Sequence, residues 1–245
     1  MNTIDFEARF SVPKNHIFSS RPKEKLSLVS RARDTGRHIK TFFSQFWGRM
    51  IGIKVKKRDQ FFVSRIYDRL YNVSTNDWIK TKNELRYEIE FKKEIMEVNG
   101  WFLKSVYVQM LSGLLDQMDC SSVLEVGSGR GDNLAALALE NPDYKFTGLE
   151  LSPEGVSAGR NLLKDFANCA EIGEADLWWG KFNFKKSPNH RAVDFMQGSA
   201  LEMPFGDNAF DVAFTVFVLE QMPYDYQNVL KEMSRVAKKY CMFLK

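Results

Sequence analysis

Hydrophobic positions follow two rhythms along the chain. Between 39 and 51, Ile39, Phe42, Phe43, Phe46, Trp47, Met50 and Ile51 recur at three- and four-residue intervals, which predicts a helix with one apolar face. Residues 60–98 keep that rhythm, with Phe62, Ile66, Leu70 and Tyr71 in one stripe and Leu85, Ile89 and Ile95 in another. Residues 101–118 read as a further amphipathic helix. From 121 onward the rhythm changes. SSVLEVGS, YKFTGLEL, VDFMQGSA and FDVAFTVFVLEQM read as strands, and YCMFLK opens a fifth. DNLAALALENP, SPEGVSAGRNLLKDFAN and DYQNVLKEMSRVAKK read as the helices between them. Pro142 stops the first of these, while Ser152 as N-cap and Pro153 at the first helical position start the second. Strands alternating with helices at this spacing predict a doubly wound α/β domain with a parallel sheet, preceded by a mainly helical N-terminal region.

Charge divides the chain in the same way. Residues 1–100 hold 21 Lys/Arg against 12 Asp/Glu, and residues 101–245 hold 14 against 19. An acidic partner should therefore meet the first half. We read 1–38 as a basic, partly disordered arm, 39–100 as a helical cap, and 101–245 as the α/β domain. The helix at 39–51 and the basic run KVKKR at 54–58 form a cap on the core, with peripheral membrane contact through 39–58 as the second reading. A nucleic-acid arm is the least favoured of the three, because aromatics at helical spacing more often pack than stack on bases.

Cys120, Cys169 and Cys241 lie far apart, as do His16, His38 and His190, so no metal site and no disulfide framework is expected. Reduced cysteines of this kind suit a cytoplasmic protein. The N-terminus lacks the basic flank and apolar run of a signal peptide, and no apolar stretch reaches the roughly 18 residues of a spanning helix.

The candidate chemistry lies in VLEVGSGRGDN at 123–133. A buried strand delivers Gly127, Gly129 and Gly131 into a tight turn that opens a helix. Glycines suit this place because the turn needs special dihedrals and a ligand must approach the backbone. The spacing excludes both the dinucleotide pattern and the phosphate-binding loop that ends in Gly-Lys-Ser/Thr. Glu150 ends the next strand, 19 residues after Gly131, where a carboxylate can accept from a ribose diol.

These stretches, with GLELSPEGV at 148–156 and ALEMPFGDNAFDVAFTVFVLEQMP at 200–223, resemble the class I S-adenosylmethionine-dependent methyltransferases, in the type 11-like form of their Rossmann-like domain. The resemblance covers roughly residues 100–245. It implies that Glu125, Gly127, Ser128, Gly129 and Gly131 wrap the methionine part of S-adenosyl-L-methionine. It also implies that Glu150 holds the ribose and Leu151 lies against the adenine. Ser199 and Ala200 then lie at the adenine edge, and Phe217 faces the sulfonium and the acceptor.

Three departures qualify the expectation. Ser199 stands where the family commonly has an acid, and Gln221 where many relatives have His. The family's sheet usually has seven strands, and this sequence stops inside its fifth. Glu220 and Gln221 are the candidate catalytic residues, Glu220 as a proton acceptor. The fourth strand is followed by EQMP, without the Asn/Asp-Pro-Pro-aromatic motif of enzymes that methylate base amines and without a Pro-Cys nucleophile. The expected acceptor is a small molecule, lipid or glycan, with RNA or protein next. A cofactor-binding regulatory or scaffold protein without catalysis is the reading from a different class. The aromatic and basic segment at 171–192, with Trp178, Trp179, Phe182 and Phe184, is read either as a substrate-facing flap or as a satellite apolar cluster.

Overall fold

The computed structural model describes residues 17–22, 60–91, 94–141, 143–169, 193–222 and 225–244. The predicted helix at 39–51, the basic run at 54–58 with its membrane reading, and the segment 171–192 lie outside these residues, as does most of the arm at 1–38.

Five strands form a parallel sheet: β4 (Ser122–Val126), β5 (Lys145–Glu150), β6 (Val193–Gln197), β7 (Phe210–Val216) and β8 (Ala237–Leu244). Their order is β6-β5-β4-β7-β8, so the chain moves outward from β4 to one edge and returns to its other side. The reversal leaves a crevice at the carboxyl ends of β4, β5 and β7, the place where open α/β sheets bind ligands.

Alternating side chains of the sheet feed two cores. Val123, Phe146, Phe195, Val212 and Phe214 pack on one face with α3 (Gly100–Leu115), α4 (Asp132–Glu140) and α5 (Pro153–Cys169). Leu124, Val126, Leu149 and Ala213 pack on the other with Val229, Met233 and Val236 of α6 (Tyr226–Val236). Those three positions recur at helical spacing, which is why so polar a segment is helical at all. At the opposite end of the sheet from the crevice, the Asp211 carboxylate accepts from the backbone N–H groups of Ser121 (2.9 Å) and Ser122 (3.2 Å). These bonds hold its pKa down to about 2 and fix how β7 starts beside β4.

The N-terminal region departs from the mainly helical expectation. Residues 85–99, read as a helical stripe, form β2 (Arg86–Phe91) and β3 (Glu94–Asn99), paired antiparallel. Strand β1 (Ile17–Pro22), inside the expected disordered arm, pairs with the other side of β3. RYEIEF and EIMEVN alternate with a period of two, and the pairing lets Met96 and Val98 bury against Phe102 of α3. Leu85, Ile89 and Ile95 happen to fit both periods over so short a span.

Two helices precede this sheet, α1 (Gln60–Tyr71) and α2 (Thr75–Glu84). Ser74 caps α2 by accepting from Asp77 N, and Asn99 caps α3 by accepting from Trp101 N and Phe102 N. Each such cap contributes about 1 kcal/mol. Trp101 is fully buried and its indole donates to Ile79 O at 3.3 Å, which joins α2 to α3. Ile66 and Leu70, predicted to be on the buried stripe of α1, are exposed among the described residues. The face of α1 carrying Tyr67 and Tyr71 lines a cavity instead.

Candidate functional site

The crevice is a cavity of about 480 Å³. Its floor is the turn after β4, where Gly127, Gly129 and Gly131 all have positive φ. Such dihedrals are cheap for glycine alone. The turn folds so tightly because Gly127 N and Ser128 N both donate to Leu149 O, at 2.8 and 3.1 Å. A Cβ at Gly129 would come within 2.7 Å of the Tyr71 hydroxyl oxygen. Gly131 behaves differently. It is the N-cap of α4, it is not on the cavity wall, and a Cβ there would overlap the Phe195 ring. Its glycine is required by helix-to-sheet packing.

Glu150 closes one end. Its carboxylate accepts from Gly129 N (2.8 Å) and Ser152 N (2.9 Å), so it ties the glycine turn to the end of β5. Burial raises its pKa, and the backbone N–H groups that it accepts from oppose the rise. Ser152 serves as the predicted cap of α5, accepting from Gly155 N at 3.1 Å, and donates its own proton to Asp68 of α1 at 2.6 Å.

The expected site residues converge. Glu125, Gly127, Ser128, Gly129, Glu150, Leu151, Ser199, Ala200, Phe217 and Gln221 all line this cavity, whereas Gly131 and Glu220 do not. Glu220 is exposed on the short 3-10 turn Leu219–Gln221, so the structure gives no support to its expected role as proton acceptor. The Ser199 hydroxyl accepts from Leu201 N at 3.0 Å, which makes it a turn former as well as a wall. Its loop is pinned to α6 because Glu232 accepts from Met203 N at 2.7 Å, and Arg235 donates to Phe205 O at 2.7 Å and Met203 O at 3.1 Å.

Phe217 follows β7 with φ 58°, a conformation that bulky residues rarely adopt. Its ring meets Tyr107 edge to face at 5.1 Å between centroids. A strained aromatic at the carboxyl end of a central strand, on a cavity wall, is the kind of outlier that marks a functional position.

The facing wall comes from the N-terminal elements: Tyr67 and Tyr71 of α1, Trp78 and Lys82 of α2, and Lys104 and Tyr107 of α3. Arg130 and Asp132 lock this wall to the glycine turn. Arg130 donates to Tyr71 O (2.8 Å) and Val73 O (2.9 Å), satisfying carbonyls at the end of α1. Asp132 accepts from the Trp78 indole at 3.3 Å. Reading the sequence did not assign these residues to the site. The signal that could have found them is Tyr67 and Tyr71 at i and i+4, but it looks like ordinary core packing until the tertiary structure leaves the space empty beneath them.

Buried oxygens on the cavity wall without a hydrogen-bond partner among the described residues include Glu125 Oε2, Ser128 Oγ and Asp132 Oδ1. Buried polar atoms are nearly always paired, so these mark where ligand donors belong. Burial pushes the Glu125 carboxyl up to about 8, although the Asn133 amide donates to its other oxygen at 2.7 Å and Lys104 lies near. The folded state therefore holds this proton where the unfolded chain, with an ordinary carboxyl near 4.5, has lost it. Stability should fall as pH rises between those values, because the native state binds more protons there. Glu125→Gln should flatten that fall, seen as a smaller difference between urea midpoints at about pH 5.5 and about pH 8. An unchanged difference would assign the proton to another group.

A family model described as a methyltransferase domain matches residues 124–244. Through this segment the chain belongs to the class I S-adenosylmethionine-dependent methyltransferase family. The cofactor of that family is S-adenosyl-L-methionine, and the cavity suits it. The volume lies within the range of about 300–1,000 Å³ usual for small-molecule sites. The unpaired oxygens of Glu125 and Asp132 fit a cationic amino-acid head, and Glu150 fits a diol.

The methyltransferase segment is also similar to curated proteins. It is 34% identical over 119 residues to a demethylmenaquinone methyltransferase of Listeria welshimeri, covering 48% of this chain and 41% of that one. It is 45% identical over 125 residues to a demethylmenaquinone methyltransferase of Bacillus pumilus, covering 51% and 44%. The chain thus matches less than half the length of these relatives. A solved Pyrococcus horikoshii protein superposes with a TM-score of 0.41 at 21% identity, over 56% of each chain. Among the described residues no three His, Cys, Asp or Glu side chains gather as metal ligands, and no helix is long and apolar enough to cross a membrane.

Proposed function

We propose that this protein is an S-adenosyl-L-methionine-dependent methyltransferase acting on a small-molecule or lipid acceptor. The observation that carries the reading is one cavity lined by the glycine turn, by Glu150 and by the strained Phe217, whose ring meets Tyr107 edge to face. Bound cofactor supplies an activated methyl group, and in-line displacement needs no metal. The chain's own residues have the remaining work. Glu150 and the glycine turn fix the cofactor, and the aromatic wall excludes water. Phe217 and Tyr107, set edge to face, form an apolar corner against which an acceptor can be aligned. Gln221 is at hand to orient a polar group of the acceptor, though an amide is a poor proton acceptor. The acceptor is therefore one whose nucleophile needs little help from a base.

The names of the relatives make quinols the first acceptors to try. A cytosolic location goes with this reading, since scattered free thiols such as Cys120 and Cys241 suit a reducing compartment.

The test is transfer of labelled methyl from S-adenosyl-L-methionine to quinols, phenols and a total lipid extract. Label in an extractable product, lost when S-adenosylhomocysteine is added in excess, is the expected result. Cofactor binding without transfer to lipid, small molecule, RNA or protein would favour the scaffold reading instead.

A further inference from the structure

Helix α1 covers the site without being built into the core. None of residues 63–71 is buried, and Ile66 and Leu70 on its outer face are exposed. Helix α3, on the same wall, is different: it buries Trp101, Phe102, Val108, Leu111 and Leu115. An element with so little buried apolar surface opens locally at a lower free energy than the core it lies on. What fastens α1 is polar. The Ser152 hydroxyl donates to Asp68 at 2.6 Å, and Arg130 donates to Tyr71 O and Val73 O at 2.8 and 2.9 Å. Both donors belong to the loops that form the site: Arg130 lies in the glycine turn, and Ser152 follows Glu150 by two residues.

The fastened helix closes over Glu150. A Cβ at Gly129 would lie 2.7 Å from the Tyr71 hydroxyl oxygen, and a Cβ at Gly155 would lie 3.0 Å from the Tyr71 ring and 2.8 Å from Glu150 Cγ. Tyr71 therefore bridges the glycine turn and the first turn of α5, beside Glu150. Glu150 is left 6% exposed, and Ser152 is fully enclosed. A ribose cannot come from solvent to a carboxylate so covered unless α1 moves aside. Closure also works against a repulsion: burial raises the Glu150 pKa, and the Asp68 charge adds to the rise. Like charges brought together repel, so Asp68 holds the helix down only through the proton of Ser152.

We infer that α1 is the gate through which S-adenosyl-L-methionine enters and its product leaves, and that the Asp68–Ser152 hydrogen bond sets how often it opens. Asp68 does not line the cavity, so it is a positioning residue that acts on the cofactor through Ser152 and the helix. The gate rests on the family's cofactor and on Glu150 as its ribose partner, and it gives a rate-setting role to a residue that neither requires. The bond is made with the gate closed whether or not cofactor is inside. It therefore cancels from the affinity and remains in both rate constants. Opening of this kind limits turnover in many enzymes that close over their ligands.

The experiment binds labelled S-adenosylhomocysteine to the wild-type chain, Asp68→Ala and Asp68→Asn, and chases it off again. Rapid filtration follows both rates, and calorimetry measures the affinity separately. Equal urea midpoints establish that the variants are folded. Asp68→Ala should raise the association and dissociation rate constants together by about tenfold or more, the usual size of a hydrogen bond to a charged group, with the dissociation constant within about twofold of wild type. Asp68→Asn keeps an acceptor oxygen for the Ser152 hydroxyl, so its rates should return most of the way to wild type. Weaker binding at an unchanged association rate would overturn the inference and make Asp68 a support of the binding wall. Unchanged rates in a folded Asp68→Ala would also overturn it, leaving α1 a fixed wall while the cofactor reading stands. Failure of the folded wild type to bind S-adenosylhomocysteine would overturn the cofactor reading and the gate together.

Discussion

Gly131→Ala is expected to destabilise the protein by about 2–5 kcal/mol, read as a lower urea midpoint at unchanged slope. Two costs add. The residue has φ 75°, and a left-handed conformation costs an ordinary L-residue about 1–2 kcal/mol. The new methyl would also enter the Phe195 ring, which is buried in the core between the sheet and α5. Overpacking of that kind costs about 1–3 kcal/mol. The two are separable, because Phe195→Leu makes room without changing the dihedral. In that background the cost of Gly131→Ala should shrink to the backbone component alone. A penalty unchanged by Phe195→Leu would mean that the ring does not limit the space. The expected outcome treats the third glycine of the turn as a structural requirement. It departs from the family-based expectation that this residue touches the cofactor.

Glu150→Ala is expected to have the largest effect on binding, a loss of about a hundredfold or more in affinity for S-adenosylhomocysteine. The carboxylate has two tasks. It would accept from the ribose hydroxyls, and it already accepts from Gly129 N and Ser152 N. Alanine leaves both backbone donors buried without a partner, at about 1–3 kcal/mol each. Affinity and stability should therefore fall together. Glu150→Gln keeps one acceptor oxygen and most of the shape, so it should recover part of the stability and less of the affinity. An alanine variant that binds as tightly as wild type would remove Glu150 from the ribose site and return it to a purely structural role.

These two residues mark the division between what was legible in the chain and what was not. Both were found from spacing, and the sequence treated them alike as ligand contacts. Only the packing of Phe195 separates them, and Phe195 is 64 positions from Gly131. The same holds for Gln221 and Glu220. They are adjacent in sequence, yet Gln221 lines the cavity and Glu220 faces solvent. A residue-type argument favours the carboxylate as proton acceptor, whereas the 3-10 turn brings Gln221 and not Glu220 to the cavity wall.

The N-terminal half was read less well, for a physical reason. Helix-period and strand-period patterns diverge only over several turns, and Leu85, Ile89 and Ile95 are too few to separate them. The antiparallel pairing of β3 with β1 depends on contacts with residues roughly 70–80 positions earlier in the chain. Tyr67, Tyr71, Trp78, Lys82 and Lys104 carry no motif, so nothing local distinguishes a cavity wall from a packed helix face.

Local patterns in the chain suffice for the α/β domain, the place of its glycine turn and the carboxylate at the end of β5. These rest on local requirements: short apolar runs bounded by turns, positive φ at glycines, and a fixed distance between successive strand ends. The tertiary structure alone decided which glycine packs and which borders the cavity. It also decided which of two adjacent polar residues reaches the site, and that a wall of tyrosines and lysines from the N-terminal elements closes over it. Those outcomes depend on contacts between residues tens of positions apart, and such contacts leave no periodicity in a single chain.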